Sequence, residues 1–424
     1  MNAAKETFVS GHEGTTAWEI AAVLVSVVAC YTLRNVLLVV FPRLSLATRG
    51  SILLAFFLDF SVLVLPGILL FTVLADHAFH FCLLSIGLVG ALAVFSIWST
   101  PGKPGCVGSV TYPLAKLPFI TAMRTYTNLF TAIAILAVDF TIFPRRFAKT
   151  ETYGTGLMDI GVGLFVVAHG LTAPEARGLS NTRGYIWRVI GTVRRVLPLI
   201  VLGCVRLASV KLTGYQEHVT EYGVHWNFFF TIAFIRVLCT AILPLLSFLP
   251  LLFPYATLSL LLAFLHQLFL SLAGGTEYVL LGPSRDGSRT GLLSANREGV
   301  VSSIGYLAVY MAGIQLGQWL FKKRKTVSKF YHVALFLGVG VVLLWTLTSV
   351  CEVYVQPVSR RMANLPFILW LFSQVFLFLL LFLFTDLLLL KLWHTVPSSS
   401  LPSPSLHHRQ QQTHHLSSLR GVCH

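Results

Sequence analysis

The sequence predicts an all-α polytopic membrane protein with about eleven transmembrane helices. Three observations lead there. Of 424 residues, 55% are hydrophobic and only 11% are charged, against roughly 25% charged in an ordinary soluble domain; too few polar residues remain to cover a water-soluble globule. The apolar residues come in runs close to the roughly 17–25 residues that cross a hydrocarbon core. Backbone polar groups in hydrocarbon need internal partners, and a helix supplies them.

In chain order the runs are Trp18–Phe41, Ser51–Leu74, Phe79–Trp98, Asn128–Phe143, Gly156–Leu171, Val196–Val210, Phe228–Leu249, Pro254–Leu272, Gly299–Leu320, His332–Val350 and Phe367–Leu390. Pro250 and Pro254 part the seventh from the eighth. This divides the chain into a short non-cytosolic N-terminus (1–17), a multi-span domain (18–393) and a polar tail (394–424). The tail is rich in Ser, His, Gln and Pro, cannot bury a core, and reads as disordered. No basic-then-apolar signal peptide opens the chain, so the first span reads as an uncleaved anchor. The seven cysteines are scattered, mostly within spans, and imply no disulfide framework.

A net charge of +15 raises nucleic acid as a partner. In so apolar a chain, basic loops facing anionic lipid headgroups explain the charge better, and no nucleic acid is expected. Lys and Arg number about fourteen on the odd-numbered loops and nine on the even ones. The positive-inside rule then places the odd loops in the cytosol and the even loops, with the N-terminus, on the far side.

The even loops carry the chemistry. The fourth boundary runs from Asp139 through Arg145, Arg146 and Lys149 to Asp159. A carboxylate near the end of an apolar run needs a partner or a wet cavity, and a nearby cation would hold Asp139 ionised. Arg145 and Arg146 also suit headgroup anchoring. In the sixth loop Glu217, His218, Glu221 and His225 recur at three- to four-residue spacing, followed by Trp226 and Asn227. On a helix the four would share one face. No His-Glu-x-x-His frame and no nearby Cys accompany them, so a headgroup pocket fits better than a metal. The Gly- and Ser-rich eighth loop holds Arg285, Arg289, Asn296 and Arg297. It lacks a Gly-Lys-Ser/Thr ending, but its arginines would suit bidentate phosphate contacts. Ser359-Arg-Arg-Met-Ala-Asn364 in the tenth loop is a weaker version of the same pattern. Acids, bases and phosphate-suited arginines thus gather on one membrane face, which suits chemistry on a phosphate-bearing lipid.

Several of these strings resemble the inositol acyltransferases of glycosylphosphatidylinositol-anchor synthesis, the PIG-W family. The resemblance is carried by Ala134-Ile-Leu-Ala-Val-Asp139, by Phe143-Pro-Arg-Arg-Phe-Ala-Lys-Thr-Glu151, by Thr220-Glu-Tyr-Gly-Val-His-Trp-Asn227 and by Gly291-Leu-Leu-Ser-Ala-Asn-Arg-Glu-Gly299. It implies a multi-pass enzyme of the endoplasmic reticulum, with lumenal reactive loops. Such an enzyme moves a fatty acyl group, typically palmitoyl, from acyl-CoA to the inositol of glucosaminyl-phosphatidylinositol, with no permanently bound cofactor. The family's paired Asp and Lys, ten residues apart, fall on Asp139 and Lys149. The substrate-binding candidates are Arg145, Arg146, His218, Glu221, His225, Trp226, Asn227, Arg289, Asn296 and Arg297. Asp139 would be the general base, and Lys149 would stabilise an oxyanion or hold a phosphate. His218 or His225 is the fallback base. Family members continue with further spans where this chain has its polar tail, so a catalytically incomplete splice form is one alternative. A lipid or solute transporter is another: intramembrane charge and Gly/Pro-broken helices fit one, though no internal repeat shows. A non-catalytic scaffold is a third.

Overall fold

A computed structural model describes residues 11–99, 117–178, 184–213, 219–246, 254–324 and 326–395. Its long helices are, in order, α1 (Ala17–Val40), α2 (Ile52–Leu70), α3 (Ala78–Ser99), α4 (Pro118–Ala137), α5 (Leu157–Leu171), α6 (Tyr185–Thr213), α7 (Phe228–Leu246), α8 (Pro254–Leu272), α9 (Arg297–Leu320), α10 (Val327–Tyr354) and α11 (Leu365–Thr395). Among the described residues nine helices are long and apolar enough to cross a membrane, and α5 and α7 are shorter apolar helices. The chain is an all-α polytopic membrane protein.

Local chemistry sets the helix ends. Thr16 caps α1 by accepting from the Glu19 N–H, and Pro42 follows its C-terminus. Ser51 caps α2 by accepting from the Leu54 N–H. Within α2 the turn at Phe60–Val64 is π-helical, just before Pro66, which lacks the N–H that the Val62 carbonyl would bond.

Two spans depart from the hydropathy reading. The fourth is Pro118–Ala137 rather than Asn128–Phe143. Its first half carries Thr121, Arg124, Thr125 and Thr127, which dilute the apolar signal, while Pro118 at the first turn starts the helix. The sixth begins at Tyr185 rather than Val196, so Arg188, Arg194 and Arg195 stand on a helix and not in a loop. Long cationic side chains at a span's end reach out to the interface and so tolerate helical positions there. Residues 394–395 close α11, and the rest of the expected polar tail lies outside the described residues.

The chain forms two compact units. One comprises Met1–Thr15, Ala148–Lys322 and Leu343–Phe372, and the other Thr16–Phe147, Lys323–Val342 and Ser373–His424. In the second unit α1 packs against α3 with Ile20, Val23 and Val27 buried. Leu53, Phe57, Leu83 and Trp98 on α2 and α3 stay exposed, as lipid-facing side chains should. Arg34 on α1 and Asp59 on α2 form a two-pronged ion pair at 2.8 and 3.3 Å.

In the first unit α9 is the central post, buried over most of its length and packed by α5, α7 and α8. The α5–α9 crossing is close because glycines line it. A side chain at Gly170 would strike the Tyr310 carbonyl, and one at Gly317 would strike that of Leu171. Small residues give close van der Waals contact in place of a hydrophobic drive that lipid cannot supply.

Candidate functional site

The first unit's connecting loops converge on the turn between α10 and α11. Asn364 builds that turn: its carbonyl oxygen accepts from the Ser359 and Phe367 N–H groups, and its amide donates to the Pro357 carbonyl. The turn presents two adjacent arginines to two different buried carboxylates. Arg360 Nε donates to Asp159 Oδ1 at 2.6 Å, and Arg361 Nη2 donates to Glu298 Oε1 at 2.8 Å.

Asp159 sits in the first turn of α5, where carboxylates favour the helix dipole. It is fully buried and also accepts from the Thr150 N–H and hydroxyl and from the Gly156 N–H. It therefore ties the 148–156 loop to α5 and to the 359–364 turn.

Glu298, also fully buried, opens α9 and gathers Arg289 at 2.6 Å and Arg361. Arg297 stands 3.8 Å from it, but its nitrogens donate to the carbonyls of Val279, Ser288 and Leu280. The structure therefore uses Arg297, expected to grip phosphate, as a buried latch on the 279–288 backbone. Gly282, at φ 81°, makes room for it, since a Cβ there would meet the guanidinium. Of the other two phosphate candidates in that loop, Arg289 is one-fifth exposed and paired with Glu298, and Arg285 pairs with Glu277.

Lys149 Nζ donates to Glu221 Oε1 at 2.7 Å. Burial alone would raise the Glu221 carboxyl, but Lys149 and then Arg360 outweigh it and hold it down at about 2. Glu221 is thus a fixed anion. Of the expected helical face in the sixth loop, Glu217 lies outside the described residues, and among those described a helix spans Val219–Tyr222. Gly223, at φ 110°, breaks it and packs so close to Asn296 that no side chain fits. His225 consequently lies off that helix, exposed, with its N–H and that of Trp226 donating to Asn296 Oδ1 at 2.7 and 3.0 Å. Asn227 caps α7 through the Phe229 N–H and donates to the Gly203 carbonyl. Trp226 packs over Gly299 and donates to the Thr231 hydroxyl. These polar side chains brace the loop against α6, α7 and α9. His218 lies outside the described residues.

Asp139 belongs to the second unit, two residues past the end of α4, and is exposed rather than part of a span. Arg145 folds back over the same helix end and donates to the Val138, Phe140 and Phe143 carbonyls. A cation there satisfies carbonyls that the helix leaves unpaired. Burial lowers Arg145 and the nearby Asp139 carboxylate opposes that. Arg146 pairs with Glu19 at 3.0 Å and Asp76 at 2.6 Å, tying the starts of α1 and α3 together. Lys149 belongs to the first unit. Among the described residues no three His, Cys, Asp or Glu side chains stand together as a metal site.

Sequence reasoning passed over Asp159, Glu298, Arg360 and Tyr222 as site residues. An acid in the first turn of an apolar helix was the available signal for two of them. Tyr222 is buried, and its hydroxyl has no hydrogen-bond partner among the described residues.

A many-helix membrane protein with buried, ion-paired loops gathered at its span ends is the class these features define. The chain belongs to the GWT1 family, whose model matches residues 1–420. It is 38% identical over 400 residues to the Homo sapiens glucosaminyl-phosphatidylinositol-acyltransferase PIGW, covering 91% of this chain and 77% of that protein. It is 33% identical over 433 residues to the Mus musculus protein of the same name, covering 96% and 83%. It is 36% identical over 417 residues to the GPI-anchored wall transfer protein 1 of Aspergillus oryzae, covering 89% and 81%.

Proposed function

We propose that the chain is an inositol acyltransferase of glycosylphosphatidylinositol-anchor synthesis. It transfers a fatty acyl group, typically palmitoyl, from acyl-CoA to an inositol hydroxyl of glucosaminyl-phosphatidylinositol. It works in the endoplasmic reticulum membrane, with its even loops lumenal. The observation that carries the reading is the 38% identity to a relative named for this acyl transfer, over nine-tenths of the chain.

The chemistry follows from the residue types. The inositol oxygen attacks the thioester carbonyl while Asp139 takes its proton. The tetrahedral oxyanion collapses, the carbon–sulfur bond breaks, and the thiolate of coenzyme A leaves with the electron pair and is then protonated. Lys149 spends one N–H on Glu221 and has two more to offer an oxyanion or a phosphate. Thiolate is a good leaving group, so the route needs no acyl-enzyme and no resident cofactor. Exposure of Asp139 keeps it open to a hydroxyl delivered from outside.

The test is purified protein with labelled palmitoyl-CoA and glucosaminyl-phosphatidylinositol. Asp139→Asn should lose acyl transfer by roughly 10²–10⁴-fold while remaining folded. A well-folded variant with wild-type turnover would remove the base role. Substrate movement without acylation would favour a transporter.

A further inference from the structure

We infer that the Arg360 Nη1 group and the Tyr222 hydroxyl form a buried subsite for a phosphodiester monoanion, the phosphate of the inositol lipid. The inference rests on the acyl-transfer reading above and adds to it a place for the lipid's charge.

Unpartnered donors point to it. Arg360 is 3% exposed and Tyr222 5% exposed. Nε of Arg360 is spent on Asp159, and Nη2 lies 3.5 Å from the Thr150 carbonyl. Among the described residues Nη1 has no partner, and neither has the Tyr222 hydroxyl. Buried polar atoms in folded proteins are nearly always paired. Two orphans in one ionic cluster point to a ligand that brings acceptor oxygens with it.

The cluster's composition says what kind. Tyr222 couples electrostatically to Tyr306, Glu221, Arg360 and Arg206, and the Tyr306 hydroxyl donates to the Arg360 carbonyl at 3.4 Å. Burial, then Tyr306 and Glu221, push the Tyr222 hydroxyl well up, so it is a neutral donor. Asp159 and Glu221 are the carboxylates, and Lys149, Arg206 and Arg360 the cations. Arg360 gives Nε to Asp159 and Nη2 to Thr150, which leaves Nη1 for an incoming acceptor oxygen. A phosphodiester carries one negative charge on two non-bridging oxygens, one for each orphaned donor. Lys149, the residue assigned to the acyl-transfer chemistry, is 31% exposed and pairs with Glu221, the neighbour of Tyr222 in sequence.

The experiment uses the full chain in detergent with two probes, dioctanoyl phosphatidylinositol and coenzyme A, which separate a lipid phosphate from the acyl donor's phosphates. Tyr222→Phe removes one hydroxyl and nothing else. Without ligand it should unfold at or above the wild-type temperature, because that hydroxyl has no partner to lose. Its Kd for phosphatidylinositol should rise roughly tenfold, the range of a hydrogen bond to a charged group, with coenzyme A binding unchanged. Arg360→Lys, which keeps the charge opposite Asp159, should weaken the same probe. Wild-type phosphatidylinositol affinity in Tyr222→Phe overturns the subsite, as does a lower unfolding temperature without ligand or a loss confined to coenzyme A. Acyl transfer by the unsubstituted chain, measured in parallel, separates the two readings. Binding through Tyr222 without transfer refutes the acyltransferase, and transfer with undiminished binding in Tyr222→Phe refutes the subsite alone.

Discussion

Asp139 and Asp159 both border the 138–156 loop, yet their surroundings are opposite. Asp139 lies beyond α4 in an exposed turn of one unit. Asp159 lies inside the first turn of α5 in the other, fully buried, with Arg360, Thr150 and Gly156 as donors. The exposed acid is the one the proposed mechanism assigns to proton transfer. The buried one has its oxygens occupied and holds three chain segments together. Position in an apolar run is therefore a poor guide to burial, and burial separates the acid suited to chemistry from the acid suited to architecture.

The contrast can be broken most forcefully at Asp159. Asp159→Ala leaves Arg360 buried beside no carboxylate of its own, and should cost about 3–5 kcal/mol of stability. Thermal unfolding in detergent reads this, and an unchanged midpoint would deny Asp159 its architectural role. A smaller effect concerns acid. Glu221 is held at about 2, below its ordinary 4.5. A depressed carboxyl stabilises the fold fully above its unfolded value and loses that contribution as pH falls toward the folded one. The Lys149–Glu221 pair, partly exposed, should therefore give up on the order of 1 kcal/mol between about pH 4.5 and 2. Unfolding curves of wild type and Glu221→Gln should converge across that window; parallel curves would count against it. The smallest effect sharpens the contrast from the other side. Asp139→Asn should change stability by no more than about 0.5 kcal/mol, despite its loss of turnover. A large destabilisation would make Asp139 structural too.

Much of the fold was legible. Ten of the eleven apolar runs meet a helix within five residues at one end or both, because apolar runs long enough to cross lipid have few other uses. The fourth does not, because Arg124 and its threonines hid half of a helix. Within the candidate strings, the pairings among side chains were not legible. Arg297 looked like a phosphate ligand until its nitrogens were seen on three backbone carbonyls. Glu221 and His225 looked like one helical face until Gly223 ended the helix between them. The Arg360–Arg361 pair looked weaker than either and proved to serve two buried carboxylates.

By itself the sequence determined that this protein lives in a bilayer, roughly where its apolar helices lie, and which polar strings fall between them. Hydropathy is additive along the chain and needs no knowledge of neighbours. Only the tertiary structure decided which of those polar groups are spent on one another. Asp159 is 201 residues from Arg360, and Lys149 is 72 from Glu221. Pairings over such separations are set by helix packing in three dimensions, and no local pattern encodes them. Which buried donors are left over after that packing, Arg360 Nη1 and the Tyr222 hydroxyl among them, is visible only once the other partners have been placed.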